Sequence, residues 1–177
     1  MTQLVTIDIG GTHARFALAE VAEGRVVHLG EPVTMKTAEH ASFQTAWEAF
    51  DEMLDSPIPR AASIAIAGPV TGDVIKFTNN PWIIRPALIA ERLNVDAYTL
   101  VNDFEAVGHA VAQAGPEYFE HLGGPDQAIA SEGTISIVGP GTGLGVAHIY
   151  RYPGGYHVSP TEGGHFESSY VLSFCWL

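Results

Sequence analysis

One cysteine, Cys175, and only eight lysines and arginines in 177 residues set the first limits on this chain. A lone thiol cannot form an intrachain disulfide, so the fold is not a small secreted one held by bridges, and a reducing compartment is the default. Against the eight cations stand twenty aspartates and glutamates, giving a formal net charge of −12. That excess repels polyanions at long range and argues against nucleic acid or an anionic membrane surface as partner. It does not argue against a bound nucleotide, because oriented amides and a metal ion neutralise phosphate inside a Debye length of about 8 Å. No apolar run approaches the roughly 18 residues of a membrane span, and Met1-Thr2-Gln3-Leu4 enters an apparent strand without a basic leader or cleavage site. The expectation is a soluble cytoplasmic protein. Its 46% hydrophobic residues suffice for a real core, in one large domain or two small ones.

Glycine, by contrast, is plentiful at nineteen residues, and two clusters of it follow apolar runs: Asp8-Ile9-Gly10-Gly11-Thr12 and Gly139-Pro140-Gly141-Thr142-Gly143-Leu144-Gly145. Glycine reaches φ > 0 and lets N–H groups approach a ligand that a Cβ would keep away, so glycines clustered with threonine hydroxyls form anion-binding concavities. After a dinucleotide or Walker-type loop the chain enters a helix. Here Ala14 to Leu18 and Val146 to Tyr150 read as β segments, so each turn joins two strands as a hairpin. That argues against a dinucleotide oxidoreductase. The shared strand, glycine turn, strand pattern is also what an internal duplication would leave.

Between these turns the pattern alternates strands and helices. Leu4 to Ile9, Ala14 to Ala19 and Arg25 to Thr34 predict three successive strands. Ser42 caps a predicted helix whose Phe43, Ala46, Trp47, Phe50, Met53 and Leu54 form one apolar stripe, ended by Pro57 and Pro59. Ala62 to Ala67 and Asp73 to Thr78 read as strands, and Pro86 to Leu93 as a short helix with proline in its first turn. Ala97 to Val101 is a strand leading into Asn102-Asp103 and a helix from Phe104 to Ala114. A loop fills Gly115 to Gly133, and Thr134 to Val138 begins the second hairpin.

Several polar residues in this frame have both a chemical and an ordinary structural reading. Asp8 ends a strand beside two glycines, where its carboxylate could face a metal ion on nucleotide phosphates or make an Asx turn. Asp103, at a strand's carboxyl end, suits a general base, and equally an N-cap. Glu162-Gly163-Gly164-His165 has a metal-site spacing, but the two glycines disfavour a helix and no second ligand cluster accompanies it, so a tight turn facing a polar ligand is expected. Asn79-Asn80-Pro81-Trp82 reads as a turn followed by an aromatic. Together these are the parts of a sugar-phosphorylating site, since converging carboxylates and amides orient a sugar and phosphoryl transfer depends on positioning and charge neutralisation.

In this order, the motifs Asp8-Ile9-Gly10-Gly11-Thr12, Ala67-Gly68-Pro69-Val70-Thr71-Gly72-Asp73, Thr78-Asn79-Asn80-Pro81-Trp82, Asn102-Asp103-Phe104, the second glycine turn and Glu162-Gly163-Gly164-His165 resemble the bacterial glucokinases of the hexokinase type. These belong to the actin-like, ribonuclease-H-like ATPase superfamily. The resemblance runs from Leu4 to His165. It implies an α/β fold with a mixed five-stranded sheet flanked by helices in an N-terminal domain, residues 1–103. Residues 104–165 would begin a second, larger α/β domain, and residues 166–177 form a tail unlike the family.

It further implies ATP-dependent phosphorylation of glucose to glucose 6-phosphate, with ATP and Mg2+ required and a homodimer as the assembly. Asp103 would be the catalytic base. Asn79, Asn102, Glu162 and His165 would bind the sugar with it. Gly10, Gly11, Thr12, Gly139, Gly141, Thr142 and Gly143 would hold the phosphates, and Asp8 would orient the metal ion through water. His13 replaces the asparagine of many relatives. The tail, which crowds Val171, Leu172, Phe174, Trp176 and Leu177 together, leads to the expectation of a truncated or frameshifted product. Two alternatives follow: an inactive sugar-binding fragment, or a nucleotide-switch ATPase of the same superfamily.

Overall fold

Alternation of apolar residues dictates the first strand, and β1 (Thr2–Ile9) buries Val5, Ile7 and Ile9 on one face. The structure, a computed structural model, describes residues 1–77, 79–125, 127–140 and 144–161. β1 pairs antiparallel with β2 (His13–Ala22), in register from Thr2 opposite Val21 to Ile9 opposite Ala14, so the first glycine turn closes a hairpin as expected. The single strand expected over Arg25 to Thr34 is instead two, β3 (Arg25–Leu29) and β4 (Val33–Lys36), both antiparallel to β2. Pro32 has no N–H for the ladder, and the chain breaks there after Gly30 N–H donates to Leu18 O at 2.8 Å.

Ser42 caps α1 (Phe43–Asp51): Thr45 N–H donates to Ser42 Oγ at 3.2 Å and Ser42 N–H to Thr45 Oγ1 at 3.0 Å. Phe43, Ala46, Trp47 and Phe50 are buried, as the stripe predicts. Met53 is 59% exposed, because the helix stops at Asp51 and the chain tightens there, Met53 N–H bonding Phe50 O. β5 (Ala61–Ile66) runs parallel to β1. The strand expected over Asp73 to Thr78 shrinks to β6 (Ile75–Lys76), which pairs antiparallel with an unforeseen β7 (Ile83–Ile84). A 3₁₀ turn, Pro86–Leu88, runs into α2 (Ile89–Arg92), and β8 (Ala97–Asn102) lies parallel to β5.

The sheet order is β3-β2-β1-β5-β8, with β4 sharing the β2 edge: a mixed sheet of five positions whose first edge is made by two strands. Its core joins Ile7, Phe16, Ile64 and Ile66 to α1, with Phe16 stacked on Phe50 at 5.3 Å and Phe43 on Trp82 at 6.1 Å. These elements form one compact unit, Met1–Asp103; the other is Phe104–Leu177.

In the second, α3 (Asp103–Gln113) precedes a three-stranded antiparallel sheet of β9 (Gly133–Pro140), β10 (Leu144–Tyr152) and β11 (Gly155–Thr161), with β10 in the middle. β9 and β10 are the expected second hairpin; β11, entered through Gly154 at φ +88°, was not expected. α3 lies so close to β11 that a Cβ on Gly108 would come within 2.4 Å of Val158. Ala147, Ile149 and Val158 are buried, whereas Val138 and Tyr150 are exposed.

Candidate active site

Three parallel strands end level with one another. Ile9 of β1 is opposite Ile66 of β5, and Ile66 opposite Asn102 of β8. The segments that leave those ends are Gly10-Gly11-Thr12, Ala67-Gly68-Pro69 and Asn102-Asp103, so residues far apart in sequence meet at the edge where ligands collect in such sheets. Ala67 N–H donates to Ile9 O at 2.9 Å and Asn102 Nδ2 to Gly68 O at 3.0 Å. Asn102 is thereby oriented by a backbone carbonyl. Asp103 is the first residue of α3.

The first glycine turn is closed by Gly10 N–H donating to His13 O at 2.9 Å. Neither Gly10 nor Gly11 takes a positive φ, so conformational freedom is not what the turn needs from them. Space is: a Cβ on Gly11 would stand 3.2 Å from Asn79 Cβ. Asn79 therefore rests directly on the turn. The next residue, Asn80, donates from Nδ2 to Gly10 O at 3.1 Å and accepts Trp82 N–H on Oδ1 at 2.9 Å. Thr37 donates from Oγ1 to Gly11 O at 3.2 Å and from its N–H to Thr12 O at 3.0 Å.

Among the described residues, Thr37 and Asn80 are the polar side chains that are buried, at 2% and 6% exposure. Sequence reasoning missed both. Asn80 was visible only as part of a turn signal, and Thr37 gave none.

Asp8 stands across from Arg15 on β2, and the guanidinium Nη1 donates to Asp8 Oδ2 at 2.9 Å. Both side chains are about half exposed. The carboxylate is thus engaged by a cross-strand cation, which the sequence did not signal. Thr12 Oγ1 lies 3.0 Å from Nδ1 of the exposed His13. At the opposite end of the sheet, Arg60 holds Asp96 with Nε and Nη2, at 2.8 and 2.6 Å. Its hydrogen bonds draw the Asp96 carboxyl below the usual aspartate range, and Asp96 raises Arg60 in turn.

In the second unit, Gly139 faces Gly145 across the β9–β10 hairpin. Neither takes a positive φ, and a Cβ on them would meet the ring of Phe104 at 2.6 Å and 1.7 Å. Here too glycine supplies room. Gly141, Thr142, Gly143, Glu162 and His165 lie outside the described residues. Among the described residues no group of three or more His, Cys, Asp or Glu is placed to hold a metal ion, and no helix is long and apolar enough to cross a membrane.

The chain as a whole has counterparts among known proteins. A family model for glucokinase matches residues 5–171. The chain is 60% identical over 165 residues to a glucokinase of Zymomonas mobilis, covering 93% of this chain and 51% of that protein. It is 39% identical to a glucokinase of a Chelativorans species, covering 90% of this chain and 45% of that one. The chain therefore spans about half the length of the curated relatives it matches.

Among solved structures, glucokinase from an Antarctic psychrotroph superposes with a TM-score of 0.81 at 27% identity, over 98% of this chain and 54% of that one. Glucokinase from Balamuthia mandrillaris, solved in complex with glucose, superposes with a TM-score of 0.70 at 25% identity, over 93% of this chain and 49% of that one. The fold is accordingly the actin-like ATPase fold of these kinases. With the family match extending over nearly every residue, from the first strand past the second hairpin, the chain belongs to the glucokinase family.

Proposed function

We propose that this chain carries the catalytic base and first phosphate turn of an enzyme that transfers the γ-phosphoryl group of ATP to the 6-hydroxyl of glucose. The observation that carries the proposal is the level ending of β1, β5 and β8, which sets Gly10-Gly11-Thr12 and Asn102-Asp103 at the same edge of one sheet. Asp103 takes the proton from the 6-hydroxyl as its oxygen forms a bond to the γ-phosphorus and the bond to ADP breaks. Asn102, oriented by Gly68 O, and Asn79 hydrogen-bond the sugar. Glu162 and His165 bind its remaining hydroxyls, and Gly139, Gly141, Thr142 and Gly143 complete the hold on the phosphates.

The donor set suits Mg2+ held chiefly by water and phosphate. That ion uses one or two carboxylates with substrate oxygens rather than an all-protein cage, and Asp8 is one half-exposed carboxylate beside the turn. When bound, the ion neutralises phosphate charge. Asp8, steadied by Arg15, would be the carboxylate that orients the ion through water. The negative net charge supports an enzyme acting on small molecules, without nucleic acid or an anionic membrane surface as partner.

A coupled assay of glucose-dependent ADP release, on the purified chain and on Asp103→Asn, tests the proposal. Turnover falling at least ~1,000-fold, with glucose affinity within about tenfold, is the expected outcome. Turnover unchanged by the substitution removes Asp103 from its role. Sugar binding without any turnover favours the alternative of a sugar-binding chain.

A further inference from the structure

A planar trans peptide fixes one direction from another: the N–H of a residue points opposite to the preceding carbonyl. The described residues contain no cis peptide. In the first glycine turn both relevant carbonyls are held from the buried side, Gly10 O by Asn80 Nδ2 at 3.1 Å and Gly11 O by Thr37 Oγ1 at 3.2 Å. The Gly11 and Thr12 N–H groups must then point away from Asn80 and Thr37, and Thr12 is exposed. Among the described residues neither N–H donates to a protein acceptor, whereas Gly10 N–H is already used on His13 O. Two neighbouring amides are left aimed outward with their directions set.

The two anchoring side chains are themselves fixed. Asn80 cannot flip its amide without losing Trp82 N–H from Oδ1, and Trp82 is 1% exposed with its indole Nε1 donating to His40 O at 2.9 Å. Thr37 is tied a second time through its own N–H to Thr12 O at 3.0 Å. A buried hydroxyl and a buried amide spent on backbone carbonyls, where apolar residues would have packed, call for a reason. Pre-set amides supply one: donors that need no reorganisation bind an anion better than donors that must first be turned.

We propose that Thr37 and Asn80 are positioning residues that aim the Gly11 and Thr12 amides at a phosphate oxygen, a role that rests on reading this turn as a phosphate holder. Neither residue touches the nucleotide. They act by drawing the opposite ends of two peptide groups into the protein.

The test titrates the ¹⁵N-labelled native chain with inorganic pyrophosphate, without divalent cations, and follows the Gly11 and Thr12 amide resonances. Both should shift saturably. Thr37→Val, which keeps the shape and removes the hydroxyl, should weaken pyrophosphate binding by about tenfold, and Thr37→Ser should restore it to within about twofold, the scale of one hydrogen bond to a charged group. A merely structural threonine would alter the unfolding midpoint and leave the affinity of the folded protein unchanged; that result overturns the role. Where Thr37→Val does not fold, Asn80→Ser, whose hydroxyl falls short of Gly10 O, carries the same comparison at the Gly11 resonance.

Pyrophosphate that moves neither amide in the native chain overturns the inference and leaves the kinase proposal to its ADP assay. Shifted amides in a chain that releases no ADP sustain the inference and remove the enzymatic activity instead.

Discussion

In the first unit the glycine turn is tied down by polar side chains from distant parts of the chain, Thr37 and Asn80, whereas in the second the glycines on either side of the turn lie against the ring of Phe104. The surroundings differ as much. The large buried cluster lies wholly within residues 1–103, with α1 and Trp82 packed together over the sheet. The second unit buries Ala147, Ile149 and Val158 against a side that α3 approaches through Gly108, and exposes Val138 at 58% and Tyr150 at 55%. Two hairpins of similar glycine pattern thus depend on different physics. One is set by directional hydrogen bonds backed by a full core; among the described residues, the glycines flanking the other leave room for an aromatic ring.

The sharpest way to break that contrast is to remove the backing of the first turn. Trp82→Ala deletes a fully buried indole and its hydrogen bond to His40 O, removing the packing behind Asn80 while keeping the main-chain N–H that Asn80 accepts, and should cost about 4 kcal/mol. Hydrogen exchange read by mass spectrometry should then show protection lost in residues 1–103 first. Equal loss in both units would refute the separate dependence. Next in size, Gly145→Ala drives a methyl into the Phe104 ring and should cost about 3 kcal/mol, with exchange rising in β9 and β10. Adding Phe104→Leu should recover part of that loss, because the two residues touch and their effects are not additive.

The smallest effect is expected at the far end of the first sheet. Arg60 hydrogen-bonds Asp96 and lowers its carboxyl, so the contact stabilises the fold above the unfolded aspartate value of about 3.9 and is lost as pH falls through the lower folded value. Arg60→Ala should therefore lower the unfolding midpoint at pH 7 only slightly, as expected for an exposed pair, and remove a small acid-side slope below pH ~4. An unchanged slope would show that Asp96 contributes nothing there.

What was legible in the sequence follows from how local the cause is. The alternation of Val5, Ile7 and Ile9, the Ser42 cap and the stripe of Phe43, Ala46, Trp47 and Phe50 are short-range patterns, and each element formed where they predict. Asn102-Asp103 falls at the junction of β8 and α3, as the strand pattern before it and the helix pattern after it predict. β7 is two residues long, too short for any period, and β11 carries Pro160 and few apolar residues to alternate. The break between β3 and β4 hinged on Pro32, which a run of β-formers masked. Thr37 and Asn80 were out of reach for another reason. Their acceptors are backbone carbonyls 26 and 70 residues away, and a carbonyl carries no sequence signature.

The indole of Trp82 also offers a built-in optical probe. Its main-chain amide grips Asn80 while its ring stacks on Phe43, so any rearrangement of the first turn that tugs on Asn80 changes the surroundings of a chromophore. Replacing Trp47 and Trp176 with phenylalanine would leave Trp82 as the single tryptophan, excited selectively at wavelengths where the tyrosines do not absorb. Its emission wavelength and quenching would then follow ligand arrival at the turn in real time, with no label attached.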